Sequence, residues 1–147
     1  MATTRRYREN DLYGVAALRA TWASNAQHRV SPDVRFLESF QQWLHSNPRT
    51  IFIAEEEGEL IGMVNLQVFQ RMPKPGQEAS CWVYLSNAFV LPGNRDEGIG
   101  SSLLRAAITY PRSIGAARIT LSPTADSIDF YRRAGFKPAD ELLVHRL

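Results

Sequence analysis

A single cysteine, Cys81, in 147 residues leaves no partner for an internal disulfide. No apolar run approaches the ~20 residues that a membrane span requires. The opening Met-Ala-Thr-Thr-Arg-Arg-Tyr-Arg has no apolar stretch behind its basic residues, so no secretory signal is expected. Excess charge of one sign is also missing. Seventeen Lys and Arg against fifteen Asp and Glu leave a formal charge of +2, with no basic block to favour nucleic acid. The three histidines, His28, His45 and His145, share no metal-site spacing, so no metal is expected. Together these absences point to a cytosolic protein that contacts neither membrane nor nucleic acid. What is present is ordinary for a globular chain: 44% hydrophobic and 22% charged residues. The length suits one domain, residues 1–147, around one core. Cys81 falls in an apolar run and reads as a buried, inert thiol.

Periodicity orders the elements. A short strand is expected over Thr4–Arg8. Asn10 or Asp11 can cap a helix through Leu12, Val15, Leu18 and Trp22. Ser31-Pro32-Asp33 reads as cap, first helical position and acidic first turn of a second helix, which buries Val34, Leu37, Phe40, Trp43 and Leu44 and stops at Asn47-Pro48. Thr50–Ala54 and Leu60–Phe69 flank Glu57-Gly58 as a hairpin. After a loop at Arg71–Gly76, a long strand covers Trp82–Val90. A helix follows from Ile99 to Tyr110, and Pro111 should end it. A strand at Arg118–Leu121, a helix over Asp126–Ala134 closed by Gly135, and a last strand within Glu141–Arg146 complete the chain. Early hairpins and late helical connections predict an α/β (α+β) fold, a mixed sheet with helices on both faces.

The most informative segment is Val90-Leu-Pro-Gly-Asn-Arg95-Asp-Glu-Gly98-Ile-Gly100-Ser-Ser. A strand runs into a glycine loop and then directly into a helix. Free N–H groups of a first helical turn, at the positive end of the macrodipole, hold anions, and glycines let backbone approach them. The spacing Arg-x-x-Gly-x-Gly lacks the Gly-Lys-Ser/Thr ending of an ATP-type loop and the first glycine of a dinucleotide fingerprint. Alone it fits an ordinary glycine turn equally well.

About twenty residues on come the Ala117–Leu121 strand, a helix and Asp129-Phe-Tyr131-Arg-Arg-Ala-Gly135-Phe136. Strand, Arg-x-x-Gly-x-Gly, helix, strand and Phe-Tyr-x-x-x-Gly-Phe, in that order, resemble the GNAT superfamily of acyl-CoA-dependent N-acetyltransferases. The resemblance is strong from Tyr84 to Pro138. It implies a mostly antiparallel, six- to seven-stranded sheet splayed in the middle, acetyl-CoA as cofactor, and acetyl transfer to an amine. A homodimer is common in this superfamily, although the sequence itself carries no sign of one.

Residue by residue, the resemblance implies the following. Arg95, Asp96, Glu97, Gly98, Ile99, Gly100 and Ser101 would surround the pyrophosphate, with Arg95 either adding charge or bracing the loop. Asp96 and Glu97 depart from the usual glycine or basic residue and repel a pyrophosphate. Ala88-Phe89-Val90 would pair with the pantetheine amides as an added strand does. Tyr131 matches the acid that protonates the departing thiolate, and a phenol is protonated at neutral pH. A tyrosine packed on a helix face is the alternative. Thr124 stands where asparagine often bonds the cofactor arm, or else it caps a helix. Ser127 bonds the sulfur or a neighbouring carbonyl. Trp22, Asn25, Glu78, Tyr84 and Asn87 are the candidates for a small-molecule amine acceptor, with Glu78 either a water-relayed base or a solvated carboxylate. The leading reading is an enzyme; a catalytically weak or inactive acyl-CoA-binding module of the same fold is the alternative.

Overall fold

The computed structural model describes residues 1–147. Five strands form one sheet in the order β1-β2-β3-β4-β5. They are β1 (Thr3–Arg6), β2 (Thr50–Glu56), β3 (Glu59–Gln70), β4 (Cys81–Val90) and β5 (Ile119–Thr120). Neighbours run antiparallel except β4 and β5, which are parallel. The helices are α1 (Leu12–Ala23), α2 (Val34–Ser46), α3 (Ile99–Ser113) and α4 (Ile128–Arg133). No helix is long and apolar enough to cross a membrane.

Strand alternation sorts the two faces. Phe52 of β2 meets the Tyr110 ring of α3 edge-on at 6.1 Å, and Arg6, its cross-strand partner, lies 4.9 Å over the same ring. On that face the Thr4 and Ser102 hydroxyls share a 2.6 Å hydrogen bond, so α3 covers it. Met63 and Phe89, paired across β3 and β4, point the other way, and Trp22 of α1 stacks on Phe89 at 5.4 Å. Helices therefore lie on both faces, as expected. Leu18, Ile53, Val64, Leu66 and Val83 are fully enclosed between the layers. Each such side chain contributes ~1.5–3 kcal/mol of burial.

The β2–β3 hairpin turns at Glu57 (φ 51°) and Gly58 (φ 80°), the paired left-handed residues of a tight hairpin turn. A charged staple fixes β1. Arg5 grips both oxygens of Asp11 at 2.8 and 2.9 Å and Glu55 at 2.7 Å. Hydrogen bonding to Arg5 holds the Asp11 carboxyl below the usual carboxylate range and raises the guanidinium in return. Asp11 also accepts from the Arg8 N–H at 2.7 Å. With both oxygens engaged, Asp11 makes no side-chain cap on α1, unlike the sequence expectation.

Other boundaries differ for local reasons. Asp33, not Ser31, caps α2: its carboxylate accepts from the Phe36 N–H at 2.8 Å, and Pro32 stays outside the helix. Helix α3 runs three residues beyond Tyr110 with Pro111 inside it. Pro111 is fully buried in the last turn, where packing offsets the missing N–H. The expected strand within Glu141–Arg146 does not form, so the sheet has five strands rather than six or seven. β5 is only two residues long and gives that segment almost no ladder to extend; Leu143 is 98% exposed.

Candidate active site

The site is where the sheet comes apart. β4 and β5 pair only at Val83–Ile119 and Tyr84–Thr120. From Leu85 to Val90, β4 has β3 on one side and no strand on the other. The opening is a cleft of about 650 Å³, within the size range of small-molecule sites. Trp22 and Leu85–Val90 form one wall; Leu121–Thr124, Asp126, Ser127, Phe130 and Tyr131 form the other; Arg95, Asp96 and Gly100 close one end.

Backbone direction along the open edge follows from its hydrogen bonds. The Leu91 N–H donates to the Ile61 carbonyl at 2.9 Å, toward β3. Alternation turns the polar groups of Val90, and of Ala88 two residues earlier, the other way, into the opening. Val90's carbonyl accepts from Arg95 Nε at 3.0 Å, and the Arg95 guanidinium lies 5.7 Å over the Phe89 ring. Arg95 thus braces the loop against β4 while lining the cleft.

Helix α3 starts at Gly98, whose φ of 81° is left-handed and suits a residue without Cβ. The Ser102 N–H closes the first turn onto the Gly98 carbonyl at 3.1 Å. The N–H groups of Ile99, Gly100 and Ser101 therefore have no partner within the helix, at its positive end. Asp96 is also left-handed, with φ 64°.

Tyr131 is 8% exposed and lines the cleft, set edge-on between Phe130 at 5.2 Å and Phe136 at 5.7 Å. Burial pushes its phenol above the ordinary value, so it stays protonated at neutral pH. Beside it, Ser127 Oγ accepts from the Thr124 N–H and hydroxyl at 3.0 Å each and donates to the Thr124 carbonyl at 3.2 Å. Thr124 does not cap α4, because Ser127 occupies that position and makes no cap bond.

Of the residues singled out from the sequence, the fold brings Trp22, Asn87, Ala88, Phe89, Val90, Arg95, Asp96, Gly100, Thr124, Ser127 and Tyr131 to one cleft. Glu97 and Ser101 are exposed at the loop and first helical turn, and Ile99 is buried in the core. Tyr84 sits at the neck, its hydroxyl donating to Ser122 Oγ at 3.2 Å where the strands part. Asn25 (φ 51°) lies at the exposed end of α1, and Glu78 lies in the exposed loop before β4; neither lines the cleft. Sequence reasoning missed Met63, Leu103, Leu104, Ser122, Asp126 and Phe130 as lining residues. It also missed Asn65, a buried amide inside the otherwise apolar run Leu60–Leu66. That polar interruption was the available signal.

A second hollow of about 570 Å³ lies between the α1–α2 loop and the β2–β3 turn. Arg29 crosses it to bond Glu59 at 2.8 Å and the Leu60 carbonyl at 2.5 Å. Its mostly polar, charged rim reads as a structural tie rather than a second site.

The acetyltransferase (GNAT) family model matches residues 14–136. An uncharacterized N-acetyltransferase of Bacillus subtilis, YhfO, is 34% identical over 96 residues, covering 64% of this chain and 61% of the relative. The chain thus matches less than two thirds of that protein's length. Among solved structures, a predicted acetyltransferase of Clostridium acetobutylicum with acetyl-CoA superposes with a TM-score of 0.74 at 19% identity, covering 99% of this chain and 96% of that one. The aminoglycoside N-acetyltransferase AAC(6')-Iy, in complex with a bisubstrate analogue, gives 0.73 at 21% identity, covering 100% and 98%. At these identities the likeness is one of fold.

Proposed function

The chain belongs to the GNAT acetyltransferase family, and on that premise we propose that it transfers an acetyl group from acetyl-CoA to a primary amine of a small molecule, with Tyr131 as the acid for the departing thiolate. The observation that carries this reading is that unpaired main-chain N–H groups at the start of α3 and at Ala88 and Val90 open into the same cleft as a buried, protonated phenol.

The residues present fit the cofactor. N–H groups at Ile99, Gly100 and Ser101 suit a diphosphate, with Gly98 giving the turn and Arg95 a nearby cation. Asp96 and Glu97 oppose that charge; exposed and screened, each costs at most ~1 kcal/mol. The Ala88–Val90 edge suits the two amides of pantetheine. Thr124 and Ser127 face that arm with hydroxyls.

Bound acetyl-CoA supplies an activated acetyl carbon. The protein's part is to hold an amine beside it and to manage protons. The Tyr131 hydroxyl would give its proton to the thiolate as the carbon–sulfur bond breaks, and the phenolate would regain one from the water that takes the proton of the attacking nitrogen. The proton lost from the attacking nitrogen passes to water, since Glu78 lies outside the cleft. Trp22 and Asn87 are the cleft residues offered to the acceptor. The amine chemistry of AAC(6')-Iy supports a small-molecule acceptor as the class to test first.

The second reading, a binding module with little turnover, draws on Asp96, whose carboxylate lines the cleft at its diphosphate end. CoA release from acetyl-CoA against a panel of amines separates the two. Turnover with at least one amine is expected, together with a ~10²–10⁴-fold lower kcat in Tyr131→Phe at unchanged CoA affinity. CoA binding with no thiol release from any amine favours the module. Failure to bind CoA at millimolar concentration overturns both, and full activity in Tyr131→Phe removes that phenol from the chemistry.

A further inference from the structure

The open edge of β4 is held in phase by a buried side chain on the neighbouring strand. Pairing of β3 with β4 steps from Asn65–Ser86 to Met63–Phe89, so Val64 alone stands opposite both Asn87 and Ala88. This extra residue is a β-bulge, and it reverses the phase of the strand. Before the bulge, the Val83 N–H points toward β5 and donates to Arg118. After it, Leu91 points toward β3, and Ala88 and Val90 therefore face the opening. Without the bulge, Asn87 and Phe89 would present their main-chain groups there instead. The Phe89 ring would also leave Trp22 for the α3 face.

The bulge rests on an unfavourable conformation. Asn87 is left-handed at φ 53° in the middle of a strand. Few residues other than glycine tolerate that conformation, and none gains from it without help. The help is visible. Asn65, 9% exposed, donates from Nδ2 to Asn87 Oδ1 at 2.6 Å. Asn65 Oδ1 accepts from the Ser86 hydroxyl at 2.8 Å. One buried amide therefore grips the residues on either side of the Ser86–Asn87 peptide, at the step where the register shifts.

We propose that Asn65 is a positioning residue: by clamping Ser86 and Asn87 it locks the β4 bulge and so aims the main-chain groups of Ala88 and Val90 into the cleft. Asn65 does not itself line the cleft; it acts through Asn87, which does. The kinetic consequence rests on the proposed acetyl transfer. The α3 amides would still hold the diphosphate in an unclamped protein, while the pantetheine arm would be misplaced. Loss should therefore fall on kcat rather than on cofactor affinity.

The test uses Asn65→Ala, Asn87→Gly and Asn87→Ala in the full chain. Asn87→Gly accepts the left-handed backbone but removes the clamped amide, so its hydrogen exchange remains informative if Asn65→Ala folds poorly, whereas its kcat also carries any lost acceptor contact. The expected result is a kcat at least about tenfold lower in Asn65→Ala and Asn87→Gly, with CoA affinity within about threefold of the parent. Amide hydrogen exchange at Phe89 and Leu91, which face β3 beyond the bulge, should accelerate in both variants, with exchange in β2 unchanged. Asn87→Ala, which loses both the amide and the tolerance of positive φ, should be worst. If Asn87→Gly keeps parental kcat and parental exchange at Phe89 and Leu91, the clamp has no positioning role and the proposal falls. If the parent turns over no amine, the functional reading fails, and the exchange measurement still decides the clamp.

Discussion

Two regions of one sheet behave differently. From β1 to β3 the strands are stapled and covered: β2 pairs with β3 from Thr50 to Glu56, Arg5 joins Asp11 to Glu55, and α3 and α1 close the two faces. From β4 to β5 the ladder lasts for two residue pairs before the strands part. In the first region the strands pair along their length and the charged side chains of the staple satisfy one another. The second keeps backbone donors, carbonyls and a desolvated phenol facing an opening. Changes in the first region should register as stability, and changes in the second as binding or rate.

The largest expected effect that tests this division lies in the closed region. Leu18→Ala removes a fully enclosed side chain and should cost ~2–5 kcal/mol in denaturant unfolding, with CoA affinity unaltered in the folded fraction. Next, Asp11→Asn breaks the staple on Arg5 and should cost ~2–3 kcal/mol. The pH dependence has a defined sign. The Asp11 carboxyl titrates below its unfolded value because Arg5 hydrogen-bonds it, so its contribution is present above the ordinary carboxylate pKa of ~3.9 and is lost as pH falls below that. Thermal melts of parent and variant should draw together as pH falls below ~3.9 and meet only below the depressed Asp11 value.

In the open region, Gly98→Ala forces a side chain onto φ 81° with no steric clash around it, so only the backbone pays, at ~1–2 kcal/mol. CoA affinity should fall about tenfold by calorimetry, with a smaller change in the thermal midpoint if the loop relaxes instead of the helix. The smallest effect is a gain. Asp96→Asn combined with Glu97→Gln should tighten CoA by at most ~1 kcal/mol per carboxylate, and the gain should shrink as salt is added. A loss of affinity in that double variant would show that the carboxylates organise the loop rather than oppose the ligand.

The legible parts of the molecule were those with local signals. Glu57-Gly58 between two β-branched runs announced the hairpin, and Gly98 and Gly100 announced the start of α3. Both depend on backbone conformations that few other residues adopt. Errors arose where tertiary packing outvoted the local rule. Pro111 stays helical because it is enclosed, and Leu142-Leu143-Val144 has strand composition but no ladder to join. Asn25 and Glu78 are polar and lie near the right elements, but loops carry side chains to places that spacing does not specify. The bulge at Asn87–Ala88 left no pattern of its own, since β-periodicity continues on both sides of it. Only the amide at Asn65, inside the apolar run Leu60–Leu66, marked the place.

Helix α3 belongs to both regions. Its N-terminal amides open toward the cleft, and its Tyr110 and Ser102 side chains are fastened to β1 and β2. An anion taken up at one end is thus wired to the best-packed part of the molecule. Heating curves recorded at increasing CoA should shift upward as a whole, by ~2.7 kcal/mol at a hundredfold excess over Kd. The unfolding midpoint then doubles as a titration readout, and candidate ligands can be ranked by calorimetric scan before any turnover is assayed.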